Sequence, residues 1–281
     1  MNSRSRLSYS LAIRTLLYLV LGAFVILALY PVLHTLATSL KTPREYVDNK
    51  LLWPVAPTLG NYRHVAVEGH MLRYFLNNCI LMPLAMLFYL FVCLTAGFAF
   101  GRLRFPLRLP IFLLVLFLMI FPQMLLSIQV FEVVRNLHLV NTYLGLILVW
   151  VAYFAPFGTY IMTTYYAKVP LEIIESARID GASTWQILLR FMIPIAMPMV
   201  GIIIIIGFQS MWNELPFSLL LLQKDSLRTI TLGIGLMQGQ YGLDDTALTA
   251  AIMAAAAVPF VLFLFFQRYI AMGSYAGAIK G

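Results

Sequence analysis

Residues 168–198, KVPLEIIESARIDGASTWQILLRFMIPIAMP, are the one long soluble-looking segment in a chain that otherwise reads as membrane. Pro170 suits the first turn of a helix, where its missing N–H breaks no bond. Glu172 and Glu175 follow near the positive end of that helix, where carboxylates are favoured. At about 100° per residue, Ile173, Ile174 and Ala177 share one side while Glu172, Glu175 and Ser176 share the other. Asp180-Gly181 is a breaker pair, and Gly181 takes a left-handed turn at little steric cost. Ser183 and Gln186 have capping-box spacing and open a second short helix that should stop near Pro194. A polar-faced helix, a glycine turn and a second helix are therefore set between two apolar runs.

The flanks decide the class. Across 281 residues, 62% are hydrophobic and 11% charged, too apolar for a soluble chain of this size. The apolar residues gather in six runs, Leu16 to Ala37, Phe75 to Ala99, Leu109 to Ile128, Tyr143 to Thr163, Ile195 to Phe217 and Thr246 to Phe266. Each has about 20 residues or more, enough at ~1.5 Å per residue to cross a hydrocarbon core ~30 Å thick. The expected fold is all-α, a polytopic membrane protein of six transmembrane helices forming one domain over residues 1–281. The first run follows Arg4, Arg6 and Arg14 and has no convincing small-residue cleavage site, so it reads as a retained anchor. Thr38 to Arg73 is too polar to cross and reads as an extracytoplasmic loop.

Charge placement sets the orientation. With the N-terminus inside, the inner side holds Arg4, Arg6, Arg14, Arg102, Arg104, Arg108, Lys168, Arg178, Arg190, Arg268 and Lys280 against only Glu172, Glu175 and Asp180. The outer side balances, so the whole excess of +8 lies inside, as the positive-inside rule requires. This puts both termini and the 166–194 loop in the cytoplasm and removes any need for a nucleic-acid partner. Cys79 and Cys93 lie in one apolar run, about 21 Å apart along a helix and beyond disulfide reach. His34, His64, His70 and His138 have no metal spacing.

Glu175-Ser176-Ala177, Asp180-Gly181-Ala182 and Ile193-Pro194 resemble the cytoplasmic coupling loop of the membrane subunits of ATP-binding cassette importers. The usual pattern there is Glu-Ala-Ala, three residues, Gly, a spacer, then Ile and Leu-Pro; Ser176 and Met192-Ile193-Pro194 depart mildly from it. Ser39-Leu40-Lys41, Asn61-Tyr62, the basic turn Gly101 to Pro106 and Trp212-Asn213-Glu214 fit the same family. The ending, residues 273–281, resembles that of the smaller membrane subunit of maltose-permease-type carbohydrate importers, and its glycines suit a thin adaptable strand.

The resemblance implies a permease forming half of a heterodimeric channel with a second, homologous permease. It also implies two ATPase subunits that use ATP and Mg, and an extracytoplasmic binding protein that delivers a sugar. Docking on the ATPase falls to Glu172, Glu175, Ala177, Asp180, Gly181 and Ala182, with a further contact from Gly277 and Lys280 in the 267–281 tail. No cofactor is expected on this chain. It has no Walker A pattern to cradle phosphate and no recognisable nucleophile and base, so it is not expected to be an enzyme by itself.

Polar groups at membrane depth are costly and therefore candidates for a pathway or gate: Asn77, Asn78, Gln209, Trp212, Asn213 and Glu214. Pro122-Gln123 interrupts the third run. For Asn213 and Glu214 three roles stand open: helix-to-helix hydrogen bonding at the interface, substrate contact, and gating or contact with the delivery protein. Trp212 is either a membrane-interface residue or a sugar platform. An ion-driven secondary transporter is the main competing class, but it would more naturally place functional charge near the bilayer midplane. Import of glycerol phosphate by the same ATP-driven mechanism also remains open, and a membrane scaffold is the bland alternative.

Overall fold

The computed structural model describes residues 3–241 and 244–278, with side chains over 13–239 and 244–267. In chain order it contains α1 (Ser3–Ser39), α2 (Pro43–Asp48), α3 (Gly60–Val67), α4 (Met71–Arg102), α5 (Arg108–Phe117), α6 (Gln123–Asn136) and α7 (Tyr143–Tyr166). The order continues with α8 (Leu171–Ile179), α9 (Thr184–Ile187), α10 (Ile193–Ile195), α11 (Met197–Trp212), α12 (Pro216–Leu221), α13 (Ile230–Tyr241) and α14 (Asp245–Ala278). Among the described residues there is no strand. Four helices are long and apolar enough to cross a membrane: Ile13–Ser39, Met71–Arg102, Tyr143–Tyr166 and Asp245–Gln267. The count reaches six when each of two bent pairs is taken as one span.

Both bends fall at prolines. The third apolar run is two arms, Arg108–Ile120 and Gln123–Asn136, meeting at 109° around Phe121-Pro122. The fifth is joined to the preceding loop at 82°, between Thr184–Ile195 and Met197–Trp212. Pro31, Pro83, Pro156 and Pro259 stay inside continuous helices, since backbone in lipid has no water to turn to and keeps its internal bonds wherever it can. Beyond the span Asp245–Gln267, α14 continues as helix through the glycine-rich ending to Ala278, where the sequence suggests a strand.

Contacts divide the chain into two compact units, Met1–Gly69 with Met237–Ala254, and His70–Leu236 with Ala255–Gly281. In the first, Asn61 Nδ2 donates to the carbonyls of Ser39 and Lys41, at 2.8 and 2.7 Å, and Thr246 Oγ1 donates to Asn61 Oδ1 at 3.3 Å. The second is built on close packing of α4, α7 and α11. A Cβ at Gly97 would lie 2.5 Å from that of Met162, and one at Gly101 would lie 3.0 Å from that of Tyr166. Gly158 and Gly207 both give way to the buried Tyr89. Gly97-Phe98-Ala99-Phe100-Gly101 thus works as a small-residue contact face between spans.

Candidate functional site

Two assemblies carry the chemistry, and they are built in opposite ways. The first is the elbow between α7 and α11. Pro170 precedes α8 as its N-cap residue, and α8 buries Ile174 and Ala177 while exposing Glu172, Glu175 and Ser176, the division that helical periodicity predicts. The helix ends in a paired cap: Ala182 N–H donates to Ala177 O at 2.9 Å and Gly181 N–H to Arg178 O at 3.0 Å. That geometry needs a left-handed residue at its centre, and Gly181 supplies it with φ +81°. Nothing lies within 4 Å of where a Cβ would sit, so backbone conformation alone constrains this position.

Ser183 then caps α9 with Gln186 in a complete capping box. The second helical segment stops one residue past Pro194, close to where the sequence suggests, but its path there is not regular. It widens into a π-turn over Leu188–Met192, in which Ile193 N–H reaches Leu188 O, and α10 carries Pro194 forward to the bend at Ala196. Pro194 has no N–H to give the preceding turn, and a widened turn is the ordinary way for a helix to absorb such a defect. Tyr165 Oη donates to Ile195 O at 3.0 Å, fastening the end of α7 to the foot of the elbow. Arg102 Nε donates to Tyr166 O at 2.7 Å, so one arginine of the basic turn ties α4 to the C-terminal end of α7.

The outward face of the elbow carries Glu172, Glu175, Asp180 and Gly181, with Ile179 87% and Trp185 56% exposed. Ala177 is buried and Ala182 half-buried, so these two shape the elbow rather than its surface. Exposed Ile179 and Trp185 were missed by reading the charges alone. Of the tail residues, Gly277 falls within the backbone of α14, and Lys280 lies outside the described residues.

The second assembly centres on Glu214, 3% exposed. Its Oε1 accepts from Gln123 Nε2 and from Phe217 N–H, both at 2.6 Å. Its Oε2 accepts from Trp150 Nε1 at 2.9 Å, Ser218 Oγ at 2.7 Å and Ser218 N–H at 3.1 Å. One carboxylate thereby holds α6 and α7 while satisfying the first amides of α12, where negative charge is favoured.

Asn77 and Asn78 also face inward. Asn77 Nδ2 donates to Ser226 O and Arg228 O, at 3.0 and 2.9 Å, and Asn78 Oδ1 accepts from Ile230 N–H at 3.1 Å. They brace the segment before α13, beside Asp225, which pairs with His70, Arg73, Tyr74 and Arg228. Trp212 is buried with its ring stacked on Phe208, centroids 5.4 Å apart. Of the six polar candidates only Gln209 and Asn213 are exposed, in the last turn of α11 and at its C-cap, with Asn213 Nδ2 donating to Gln209 O at 2.9 Å.

A half-open cavity of about 160 Å³ is lined by Tyr89, Tyr153, Phe154, Phe157, Gly207 and Ser210, with Met119 and Ile206 completing it, and neither Gln209 nor Asn213 lines it. Its aromatic lining comes from α4 and α7, and no local pattern in the sequence signals their convergence. Among the described residues no group of three or more His, Cys, Asp or Glu is placed to hold a metal ion.

Residues 71–272 match the family described as binding-protein-dependent transport system inner membrane component. A putative ABC transporter permease protein of Caldicellulosiruptor is 31% identical over 265 residues, 94% of this chain and 96% of the relative. The trehalose/maltose transport system permease protein MalG of Thermococcus litoralis is 31% identical over 268 residues, again 94% and 96%. Among solved structures, a bacterial ABC transporter involved in importing the acidic polysaccharide alginate aligns with a TM-score of 0.79 at 22% identity. That alignment covers 96% of this chain and 99% of the other, and supports the fold.

Proposed function

We propose, from the premise that this chain belongs to the binding-protein-dependent transport system inner membrane component family, that its elbow over 166–194 is the seat of an ATPase and that its cargo is a sugar or oligosaccharide. The chain is a permease subunit of an ATP-binding cassette importer, and in such importers ATP is hydrolysed by separate subunits. The elbow reading rests on one observation. A capped, clamped helix–turn–helix presents Glu172, Glu175, Ile179, Asp180 and Trp185 outward from between two spans. Carboxylates around two exposed apolar side chains suit a partner groove with a hydrophobic floor and a basic rim.

In this reading the termini and the elbow are cytoplasmic, as the charge asymmetry supports. Two ATPase subunits using ATP and Mg close beneath this chain and a second, homologous permease, and a binding protein delivers the solute from the other side. All 281 residues act as one permease domain, with Gly277 and Lys280 adding a tail contact to the ATPase. Because Tyr165 and the cap at Gly181 stiffen the elbow, a push on Glu175 travels to the bend at Ala196 and into α11 instead of dissipating in the loop. The sugar assignment draws on the trehalose/maltose relative and on the aromatic cavity between Tyr89, Tyr153 and Ser210, where rings and hydroxyls suit a carbohydrate.

The test is uptake into vesicles containing both permeases and the ATPase, with binding protein outside. Labelled oligosaccharide should accumulate only with ATP inside, and Glu175→Cys should cross-link to the ATPase. Uptake that persists without ATP and collapses with an ionophore would instead establish the secondary transporter. ATP-dependent uptake of glycerol phosphate in preference to sugar would retain the mechanism and change the cargo.

A further inference from the structure

The loop that follows α1 is built inside out. Its two ends are fastened to the end of the first span: Thr58 N–H donates to Leu40 O at 2.8 Å, Asn61 Nδ2 bonds the carbonyls of Ser39 and Lys41, and Ser39 Oγ meets Tyr62 Oη at 2.8 Å. Lys41 is fully buried, with its ammonium on the carbonyls of Asn49 at 2.7 Å and Lys50 at 3.2 Å. Within the loop, polar side chains also turn inward to backbone. Thr42 Oγ1 caps α2, Glu45 accepts Val55 N–H, and Asn49 both accepts from Leu52 N–H at 3.0 Å and donates to Trp53 O at 3.3 Å.

The large apolar side chains do the opposite. Val47, Leu51, Leu52, Trp53 and Val55 are all exposed, Leu51 and Leu52 by 74% and 72%. A loop in water normally buries such groups and hydrates its polar ones. A rigid frame that spends its polar groups on its own backbone and holds five apolar side chains outward is shaped for a less polar surrounding.

We propose that Leu51, Leu52 and Trp53 form a foot set in the headgroup and upper acyl region of the bilayer, a lipid contact that fixes the height of this loop. Two features favour lipid over a protein partner. The staples at Leu40, Lys41 and Thr58 hold the loop at the level where the span Ile13–Ser39 leaves the membrane. The span below is itself uncovered at Leu27, Leu29, Tyr30, Val32 and Leu33, and the half-buried to buried stretch from His34 to Lys41 separates that face from the patch. Tryptophan prefers the headgroup level, and exposed Lys50, next to Leu51 in the chain, is available to meet a phosphate, as long basic side chains do at interfaces. The inference needs only that α1 crosses the bilayer, so it stands apart from the elbow and cargo readings.

The test compares the assembled importer and its Trp53→Phe variant in nanodiscs whose lipids carry bromine high on the acyl chains. Emission lost on substitution isolates Trp53 from the other tryptophans. It should fall about twofold or more in brominated against ordinary lipid, with or without the binding protein, as expected of an interfacial ring. Leu51→Ser/Leu52→Ser should weaken that quenching while the protein still inserts and assembles. Trp53 emission untouched by brominated lipid overturns the proposal. If added binding protein then shields the ring from aqueous iodide, the patch is a protein-docking surface; if neither agent reaches it, another chain of the assembly covers it.

Discussion

The elbow and the Glu214 assembly each combine acidic side-chain oxygen, a helix start and a proline, with three carboxylates in the first and one in the second, yet they dispose of their polar groups in opposite directions. Around Gly181, backbone caps satisfy the chain locally and leave Glu172, Glu175 and Asp180 free to face outward. Around Glu214, one carboxylate is consumed by five donors drawn from α6, α7 and α12. The difference teaches what a charge is for in each place. A carboxylate in contact with water costs little and is available to a partner, whereas one within the membrane unit persists only because its surroundings satisfy it.

The largest effect should come from breaking the inner assembly. Glu214→Ala leaves Gln123, Trp150 and the first amides of α12 without their acceptor, and each buried unmet donor costs about 1–3 kcal/mol. We expect a loss of about 3 kcal/mol or more in stability and little assembled protein, read by thermal unfolding in detergent. Glu214→Gln keeps an acceptor but turns donors toward donors, and should recover part of the loss. Retained stability in Glu214→Ala would show that the carboxylate is not the tie between these helices.

The two glycines offer a sharper contrast. At Gly158 a Cβ would meet Tyr89 Oη and Cys93 Sγ, each at 2.5 Å, whereas at Gly181 it meets nothing but requires φ +81°. Gly158→Ala is overpacked and should destabilise the protein by about 1–3 kcal/mol, lowering its melting temperature and, because Tyr89 also lines the aromatic cavity, lowering uptake per folded molecule as well. Gly181→Ala should act on uptake through the elbow alone. Its left-handed strain of about 1–2 kcal/mol is borne by the elbow, so melting should fall by no more than a few degrees while ATP-dependent uptake drops, and local opening of residues 177–182 should account for the loss. Gly181→Asn, which tolerates the left-handed region better, should lie between alanine and the parent. The spacious Gly181 thus tests shape, and the crowded Gly158 tests packing.

What the sequence made legible follows the same division. Pro170, the Ile174/Ala177 face, Gly181 and the Ser183–Gln186 box are short-range features whose physics lies within a few residues, and the structure has each of them. Pro122 marks a break, but the 109° angle depends on the helices packed around it. Trp150 and Gln123 stand 64 and 91 residues from Glu214, and no periodicity joins groups so far apart. The π-turn before Pro194 emerges only once the helix is known to continue through that proline. Gly97 and Gly101 were readable as a contact pair and were overlooked because the run containing them scores simply as apolar.

The smallest effect tests whether the elbow's shape is set by its own caps. Ser183 Oγ accepts Gln186 N–H at 3.3 Å, and Gln186 Oε1 accepts Ser183 N–H at 2.7 Å. Ser183→Ala removes the first bond and leaves the second, so α9 should fray at a cost of about 0.5–1 kcal/mol. Global melting should not register this, because Ile187, Leu188 and Met192 keep the following turn buried. Amide exchange at residues 184–186 should speed up several-fold while exchange in α8 stays as it was, because the bonds at Gly181 close α8 independently. If α8 loosens together with α9, the two caps act as one unit, and the elbow bends as a whole where the bond geometry makes it two rigid pieces about a fixed turn.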